Sequence, residues 1–127
     1  MTIGVDVVDV ARFRALLNRS PRVTQRFFTD EERAHCGAAA DAAVRFAGTF
    51  AAKEAVMKAL GLTPAPAWAR RIRIVRAATG RPSAAVDGFA PVAVSISHDG
   101  PVAVAIALAP PDAPTGAPPG TPVVTDR

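Results

Sequence analysis

The chain has 127 residues, of which 50% are hydrophobic and 20% are charged, and its formal net charge is +4. This length and composition indicate one globular domain that can bury a core without added cross-links. A single cysteine, Cys36, excludes an intrachain disulfide and favours a reducing compartment. The first ten residues lack a basic leader and no apolar run reaches the length of a membrane span, so we expect a cytoplasmic protein without a membrane partner.

The first elements are predicted to be one strand and two helical segments. Ile3–Val8 is short and rich in β-branched residues, which is typical of a largely buried strand. Asp9 stands where a helix cap belongs, and apolar residues recur at helical spacing from Val10 onward. A Ser-Pro pair at 20–21 predicts the start of another short helical segment.

Two further helices are predicted before the middle of the chain. Thr29 and Glu32 have the spacing of a capping box, which predicts a short helix ending near Gly37. Asp41–Leu60 is predicted to be the longest helix, closed by Gly61. Much of its buried surface is expected from its large apolar side chains, Val44, Phe46, Phe50, Met57 and Leu60.

The C-terminal half favours strands. Leu62–Trp68 contains two prolines and is predicted to be a loop. Arg71–Ala77 and Ser83–Val86 are predicted strands joined by a turn at 79–82. The clearest pattern is Val92–Leu108, where two β-runs flank an Asp-Gly pair at 99–100 and predict a hairpin.

Helices early and antiparallel strands late indicate an α+β fold, with an N-terminal strand and helices packed on a small sheet that ends in a hairpin. Residues 1–109 are predicted to form this domain. Pro110–Arg127 holds half of the twelve prolines and no aromatic residue, so we expect a disordered or extended tail. Because the sheet is small, oligomerisation is a way to bury the remaining apolar surface.

Basic residues form two tracts without acids between them. The first lies within residues 10–28 and comprises Arg12, Arg14, Arg19, Arg22 and Arg26. The second lies within residues 55–86 and comprises Lys58, Arg70, Arg71, Arg73, Arg76 and Arg81. Both tracts predict acidic or phosphorylated partners. No nucleic-acid reader motif accompanies them, so we do not expect a nucleic-acid partner.

Three places carry side chains suited to chemistry. Asp6 interrupts an apolar strand, and a buried carboxylate has to be paired, protonated or bound to a metal. Glu54 and Lys58 share one side of the long helix, with Lys53 on its flank, although an ordinary i,i+4 ion pair would also explain this spacing. The "SISHDG" turn carries His98, for which a plain surface position is the simpler interpretation.

Two carboxylates with lysines and a histidine suit phosphoryl transfer. Oxygen ligands hold Mg²⁺ with few protein groups while substrate phosphates and water complete its coordination. Lysines then neutralise the remaining phosphate charge. The sequence contains neither the Walker nor the dinucleotide glycine motif, so the phosphates would have to be bound without such a loop.

Three motifs together carry a family resemblance: "IGVDVVDVARF", "RFAGTFAAKEAVMKALG" and "VSISHDG", in that order. The chain resembles the holo-acyl-carrier-protein synthases, the short group of 4′-phosphopantetheinyl transferases, from Ile3 to Leu108. The tryptophan followed by "IRIV", and the later "GRP", also fit the layout of that family.

The resemblance implies the 4′-phosphopantetheinyl transferase fold and its reaction. Such enzymes move the phosphopantetheine arm of coenzyme A to a serine of an apo acyl carrier protein and release adenosine 3′,5′-bisphosphate. Asp6 and Glu54 would be the Mg²⁺ ligands. The nucleotide and its phosphates would be contacted by Lys53, Lys58, Ser97 and His98. The catalytic groups would be Glu54, Lys58, His98 and Asp99, and the serine proton could pass to Glu54, Asp99 or a metal-bound water.

The resemblance also implies partners. The carrier proteins that such enzymes modify are acidic, and they dock on the N-terminal helix of the enzyme. In this chain the docking surface would present the first basic tract, Arg12, Arg14, Arg19, Arg22 and Arg26. Family members of this length are typically homotrimers with each active site shared between two subunits. The carrier is expected to belong to polyketide or fatty-acid synthesis, and the departures from the family pattern given next favour a polyketide or other secondary-metabolite carrier.

The chain departs from the family pattern at two places. Thr49 stands where an arginine is common, and Leu62–Trp68 replaces a glycine-rich loop that borders the coenzyme A pocket. These departures leave a second hypothesis open, a degenerate homologue that binds carrier protein or coenzyme A without turnover. A basic nucleic-acid-binding module is a third, but it leaves Asp6 and Glu54 unexplained.

Overall fold

The computed structural model describes residues 1–63 and 66–111, which form one sheet with helices packed on one face of it. In this part of the chain the antiparallel sheet has the strand order β1-β5-β4-β3-β2. The elements in chain order are β1 (Thr2–Asp9), α1 (Val10–Arg19), α2 (Val23–Phe27), α3 (Asp30–Gly37), α4 (Ala42–Leu60), α5 (Pro66–Ala69), β2 (Ile72–Arg76), β3 (Pro82–Val86), β4 (Val92–Asp99) and β5 (Val102–Ala109).

The predicted helix caps are confirmed. The Asp9 carboxylate accepts a hydrogen bond from the backbone N–H of Arg12 at 2.9 Å, so β1 passes directly into α1. Thr29 and Glu32 form the reciprocal capping box that opens α3. Gly61 closes α4 with a φ of 68°, a left-handed conformation that glycine adopts without strain.

Helix α4 lies across the inner face of the sheet and forms the centre of the core. Phe46 and Met57 are buried as expected, whereas Val44, Phe50 and Leu60 are only partly buried. Half of the twelve buried α4 residues are alanines, Ala43, Ala47, Ala51, Ala52, Ala55 and Ala59. Small side chains allow the helix axis to approach the strands closely.

Strand β1 is buried on one face only, which corrects the prediction of a largely buried strand. Its inner side chains face α4, but Ile3 and Val7 on the outer face are 67% and 61% exposed. Strand β1 is an edge strand of the sheet, and within the described residues of this chain nothing covers its outer face.

Two predictions for the C-terminal half need comment. The hairpin is confirmed, but its two-residue loop is Gly100-Pro101, one residue later than the Asp-Gly pair, because Asp99 pairs with Val102. Leu62–Trp68 is not wholly a loop, since the single turn α5 begins at Pro66, where the missing N–H costs no helical bond.

The predicted tail, Pro110–Arg127, lies outside the described residues from position 112 onward. Within residues 1–63 and 66–111, no helix is both long and apolar enough to cross a membrane.

Candidate active site

A groove of about 450 Å³ lies where the end of β1 meets α1 and α4. Asp6 and Glu54 both line it, so the fold brings together two carboxylates that the sequence separates by three helices and the first part of α4. The other lining residues come from the same three elements: Val7, Val8, Asp9, Arg12, Phe13, Leu16, Arg19 and Phe50.

The strand register determines where Asp6 points. Gly4, Asp6 and Val8 alternate onto the inner face of the sheet, and Asp6 stands directly opposite Ala105 of β5. The Asp6 side chain is 19% exposed and is therefore only partly buried. A carboxylate is therefore held at the border between core and groove.

Glu54 is partly buried on α4, close to the charges of Asp6 and Lys58. Burial raises the pKa of its carboxyl, the negative charge of Asp6 raises it further, and the positive charge of Lys58 partly offsets both. Two neighbouring carboxylates that both ionise are stabilised by a cation between or beside them.

Lys58 joins this pair from one turn further along α4. Its ammonium donates to the Val5 carbonyl at 2.9 Å and to Asp6 Oδ1 at 3.3 Å. The Lys58 side chain is 52% exposed, so the ammonium can also reach a ligand in the groove.

The donor set fits a hard divalent cation. Mg²⁺ is commonly bound by one or two protein carboxylates, with substrate phosphates and water in the other positions. In the described part of the chain no three His, Cys, Asp or Glu side chains form a cluster that could hold a metal. Asp6 and Glu54 would therefore hold Mg²⁺ together with a phosphorylated substrate, not as a closed protein site.

The structure places Lys53 away from the groove, which corrects its expected role as a phosphate contact. Lys53 is 1% exposed and pairs with Glu32 of α3 at 2.6 Å. Its ammonium also donates to the carbonyls of Phe27, at 2.9 Å, and Ala69, at 2.5 Å. With these three partners the ammonium is held in the core and does not face the groove.

The "SISHDG" residues lie elsewhere on the sheet. Ser97, His98 and Asp99 are exposed on β4, which is separated from β1 by the whole of β5. His98 faces the same side of the sheet as Asp6, since it is opposite Ala103, which is in turn opposite Val8. Two strand spacings and one pair of residues put their Cα atoms roughly 12 Å apart.

The first basic tract divides into three parts. Arg12 and Arg19 line the groove beside the two carboxylates. Arg14 faces another side of α1, where it forms a bidentate pair with Asp41 at 3.0 Å. Arg22, before α2, and Arg26, within it, are exposed.

Two features of the structure, one in the groove and one in the core, were not anticipated from the sequence. Phe13 and Phe50, whose ring centroids are 5.2 Å apart, form an aromatic wall of the groove. Glu32 was assigned only to a cap, but it also accepts from the Ile74 N–H at 2.7 Å and binds Lys53. Nothing in the sequence beyond the cap distinguishes Glu32 from its acidic neighbours Asp30 and Glu31.

Comparison with known proteins supports a family assignment. The family model for the 4′-phosphopantetheinyl transferase superfamily matches residues 2–109. The chain is 41% identical to holo-acyl-carrier-protein synthase from Anaeromyxobacter dehalogenans, over 84% of this chain and 92% of that protein. It is 43% identical to the enzyme of the same name from Frankia alni, over 84% of this chain and 94% of that protein.

A solved structure supports the fold. The crystal structure of Helicobacter pylori holo-acyl-carrier-protein synthase in complex with coenzyme A aligns with a TM-score of 0.75 at 26% identity. The alignment covers 85% of this chain and 99% of that one. The resemblance and the α+β fold expected from the sequence are thereby confirmed, and the chain belongs to the holo-acyl-carrier-protein synthase family, a group of enzymes within the 4′-phosphopantetheinyl transferase superfamily.

Proposed function

We propose that the protein transfers the 4′-phosphopantetheine group of coenzyme A to a serine of an apo acyl carrier protein, with Mg²⁺, and releases adenosine 3′,5′-bisphosphate. The observation that supports this most strongly is the pairing of Asp6 and Glu54 in one groove, in a chain of this family. Lys58 pairs with Asp6, but one half-exposed lysine does not balance the charge of two neighbouring carboxylates.

The roles of the side chains follow from their positions. Asp6 and Glu54 would hold Mg²⁺, which when bound supplies positive charge to the pyrophosphate oxygens of coenzyme A. Lys58 is held against Asp6 with its ammonium at the groove, where it binds a phosphate oxygen. The serine oxygen forms a bond to phosphorus as the bond from phosphorus to the leaving bisphosphate breaks, and the serine proton passes to a base, for which Glu54, Asp99 and a bound water are the candidates.

The carrier protein is proposed to dock on the groove side of α1. Arg12 and Arg19 lie beside the two carboxylates, so an acidic helix bound to them would bring its serine close to the donor. Arg22 and Arg26 extend this basic surface. Arg14 contributes less, because Asp41 already neutralises it.

We also propose a homotrimer with shared sites. The outer faces of β1 and β5 form an apolar surface whose exposed members are Ile3, Val5, Val7, Val102, Ile106 and Leu108. Another copy of the chain would bury these side chains. Because His98 lies about two strands from Asp6, its nucleotide contact is proposed to serve a neighbouring subunit's groove, together with Ser97 and Asp99.

The test is mass spectrometry of an apo acyl carrier protein incubated with coenzyme A, Mg²⁺ and the protein. The wild-type chain should add the mass of one phosphopantetheine group to the carrier. Glu54→Gln keeps the shape of the side chain but removes a cation ligand, and it should slow the transfer by at least about 100-fold. Chelation of divalent cations should stop it.

Asp87→Asn is the matched control, since Asp87 is an exposed acid that pairs with Arg73 far from the groove. It should transfer at the wild-type rate. Full activity in Glu54→Gln would refute the assigned role of the two carboxylates. No mass gain across several carriers, despite measurable carrier binding, would instead favour a homologue that binds without turnover.

A further inference from the structure

Helix α2 has little packing of its own, although it belongs to the proposed docking surface. It has 5 residues, none of which is buried, and no side chain caps its N-terminus. Arg22 precedes it and Arg26 lies within it, so the place of α2 decides where these two basic side chains lie relative to the groove. A helix this short does not form alone, because its few hydrogen bonds do not offset the entropy of ordering it. Contacts from other elements therefore have to fix α2.

The polar contacts that fix α2 lie where it joins α3. The Lys53 ammonium, which comes from α4, donates to the Phe27 carbonyl at 2.9 Å. The Arg33 guanidinium, which comes from α3, donates to the carbonyl of the next residue, Phe28, at 2.9 Å. Among residues 1–63 and 66–111, side-chain hydrogen bonds from other elements reach α2 and its C-cap only at this end. The residue that follows Arg26 is thus tied to α4 through Lys53.

Glu32 holds the Lys53 ammonium in this direction. Its carboxylate lies 2.6 Å from the ammonium, and both side chains are buried. The Glu32 carboxylate is itself fixed by the N–H groups of Thr29, at 2.8 Å, and Ile74, at 2.7 Å. Burial lowers the pKa of Lys53, and the charge of Glu32 opposes that change. The ion pair therefore keeps in the core an ammonium whose other protons point to backbone carbonyls.

The same ammonium also connects α2 to α5. It donates to the Ala69 carbonyl at 2.5 Å, so one nitrogen binds the ends of two short helices. Ala69 is itself buried and leads into β2, so α5 has packing that α2 lacks. Loss of the Lys53 ammonium should therefore displace α2 more than α5.

We propose that Lys53 and Glu32 are positioning residues for carrier recognition, which hold α2 where its arginines continue the basic surface of α1. They touch neither the carrier protein nor coenzyme A. This role rests on the proposed function, since the partner concerned is the acidic carrier. It gives a task in the reaction to the lysine of the "FAAKEA" run, whose ammonium does not face the groove.

The experiment separates a lost position from lost stability. Lys53→Met alone leaves a buried charge, so both charges are removed in the double variant Lys53→Met/Glu32→Gln. Lys53→Gln/Glu32→Gln is a second variant in case the first does not fold, since its shorter amide keeps a polar group but does not reach both carbonyls. Val92→Ala is the control, because Val92 is a buried residue of β4 whose truncation destabilises the core without touching α2. Transfer is measured well below the unfolding temperature of every variant.

The double variant should raise the KM for the apo acyl carrier protein about fivefold or more, while kcat and the KM for coenzyme A stay within about twofold of the wild-type values. A lysine that contacted a phosphate would change the KM for coenzyme A instead. Calorimetry should show the same loss in the dissociation constant of the carrier. Hydrogen exchange of the amides in residues 22–28 should be faster in the double variant and unchanged in Val92→Ala.

A double-mutant cycle connects this loss to α2. Arg26→Ala should weaken carrier binding by about threefold or more in the wild-type chain and clearly less in the double variant, where the arginine has already left the docking surface. Equal losses in both backgrounds, or a matching loss in Val92→Ala, would overturn the proposal.

The outcomes distinguish this role from the proposed function. Normal transfer with an unchanged dissociation constant for the carrier in the double variant leaves the function in place and refutes the positioning role. Carrier binding does not require turnover, so a chain that transfers nothing but loses carrier affinity in the double variant refutes the function and supports the positioning role.

Discussion

Lys53 and Lys58 lie on the same helix, α4, but their side chains point in different directions and have different partners. Five positions along α4 rotate a side chain by about 140°, so one lysine points to the core and the other to the groove. Lys53 is buried with Glu32, while Lys58 is half exposed beside Asp6. The charges inside the apolar "FAAKEAVMK" run therefore belong to two sites, one structural and one proposed to be catalytic.

The buried pair should be coupled strongly. Lys53→Met leaves the Glu32 carboxylate buried without its cation and should lower the free energy of unfolding by about 3–5 kcal/mol. Glu32→Gln keeps only one of the two oxygens that accept from the Thr29 and Ile74 N–H groups but removes the uncompensated charge, so the double variant should recover part of that loss. Urea denaturation at one protein concentration measures all three. Lys58→Met, on the exposed side of α4, should cost no more than about 1 kcal/mol. Strictly additive losses in the double variant would contradict the coupling.

At the scale of elements, the contact between β1 and α4 determines the groove. A Cβ atom on Gly4 would lie 2.0 Å from the Ala55 carbonyl oxygen and 2.8 Å from the Ala59 nitrogen. The backbones of strand and helix thus touch without an intervening side chain. Asp6 follows Gly4 by two residues, and Glu54 precedes Ala55, so this contact also fixes the separation of the two carboxylates.

Gly4→Ala should therefore affect both the fold and the proposed site. The added methyl group meets backbone, which cannot rotate away, so α4 has to shift at a cost of about 1–3 kcal/mol or more. The same shift should weaken the stabilisation that Mg²⁺ and coenzyme A together give the protein in thermal unfolding. Gly37→Ala is the control, since a Cβ there meets nothing within 4 Å. Equal melting temperatures for the two variants would show that the contact is less rigid than described.

The sequence was informative where local chemistry decides the structure and uninformative where packing does. Caps at Asp9 and Thr29 depend on neighbours three residues away, so their patterns were sufficient. Asp6 and Glu54 could be paired only through the family resemblance, because no local pattern reports a contact over such a separation. Lys53 was predicted to contact a phosphate because the sequence does not show which side of an almost uncharged helix faces the core.

At the scale of the whole molecule, the outer face of the sheet is an apolar surface that nothing in the described part of the chain covers. Ile3 is opposite Leu108, Val5 is opposite Ile106 and Val7 is opposite Val104, so the exposed side chains form continuous cross-strand rows. Rows of this kind along an edge strand invite pairing with another chain. A closed ring of copies uses the surface without leaving a free apolar face for aggregation.

The proposed ring makes a quantitative prediction for mixed subunits. Glu54→Gln and His98→Ala chains should each be inactive alone, because each removes one half of every shared site. When they are co-expressed in equal amounts and assemble at random, about a quarter of the sites combine an intact Glu54 with an intact neighbouring His98, so transfer should recover to about that fraction of the wild-type rate. The matched control mixes Glu54→Gln with Asp6→Asn chains, whose defects fall in the same half of the site, and it should recover nothing. Light scattering should report three chains per particle in each case. Mixed particles that stay as inactive as their parents would show that Glu54 and His98 serve one subunit's site.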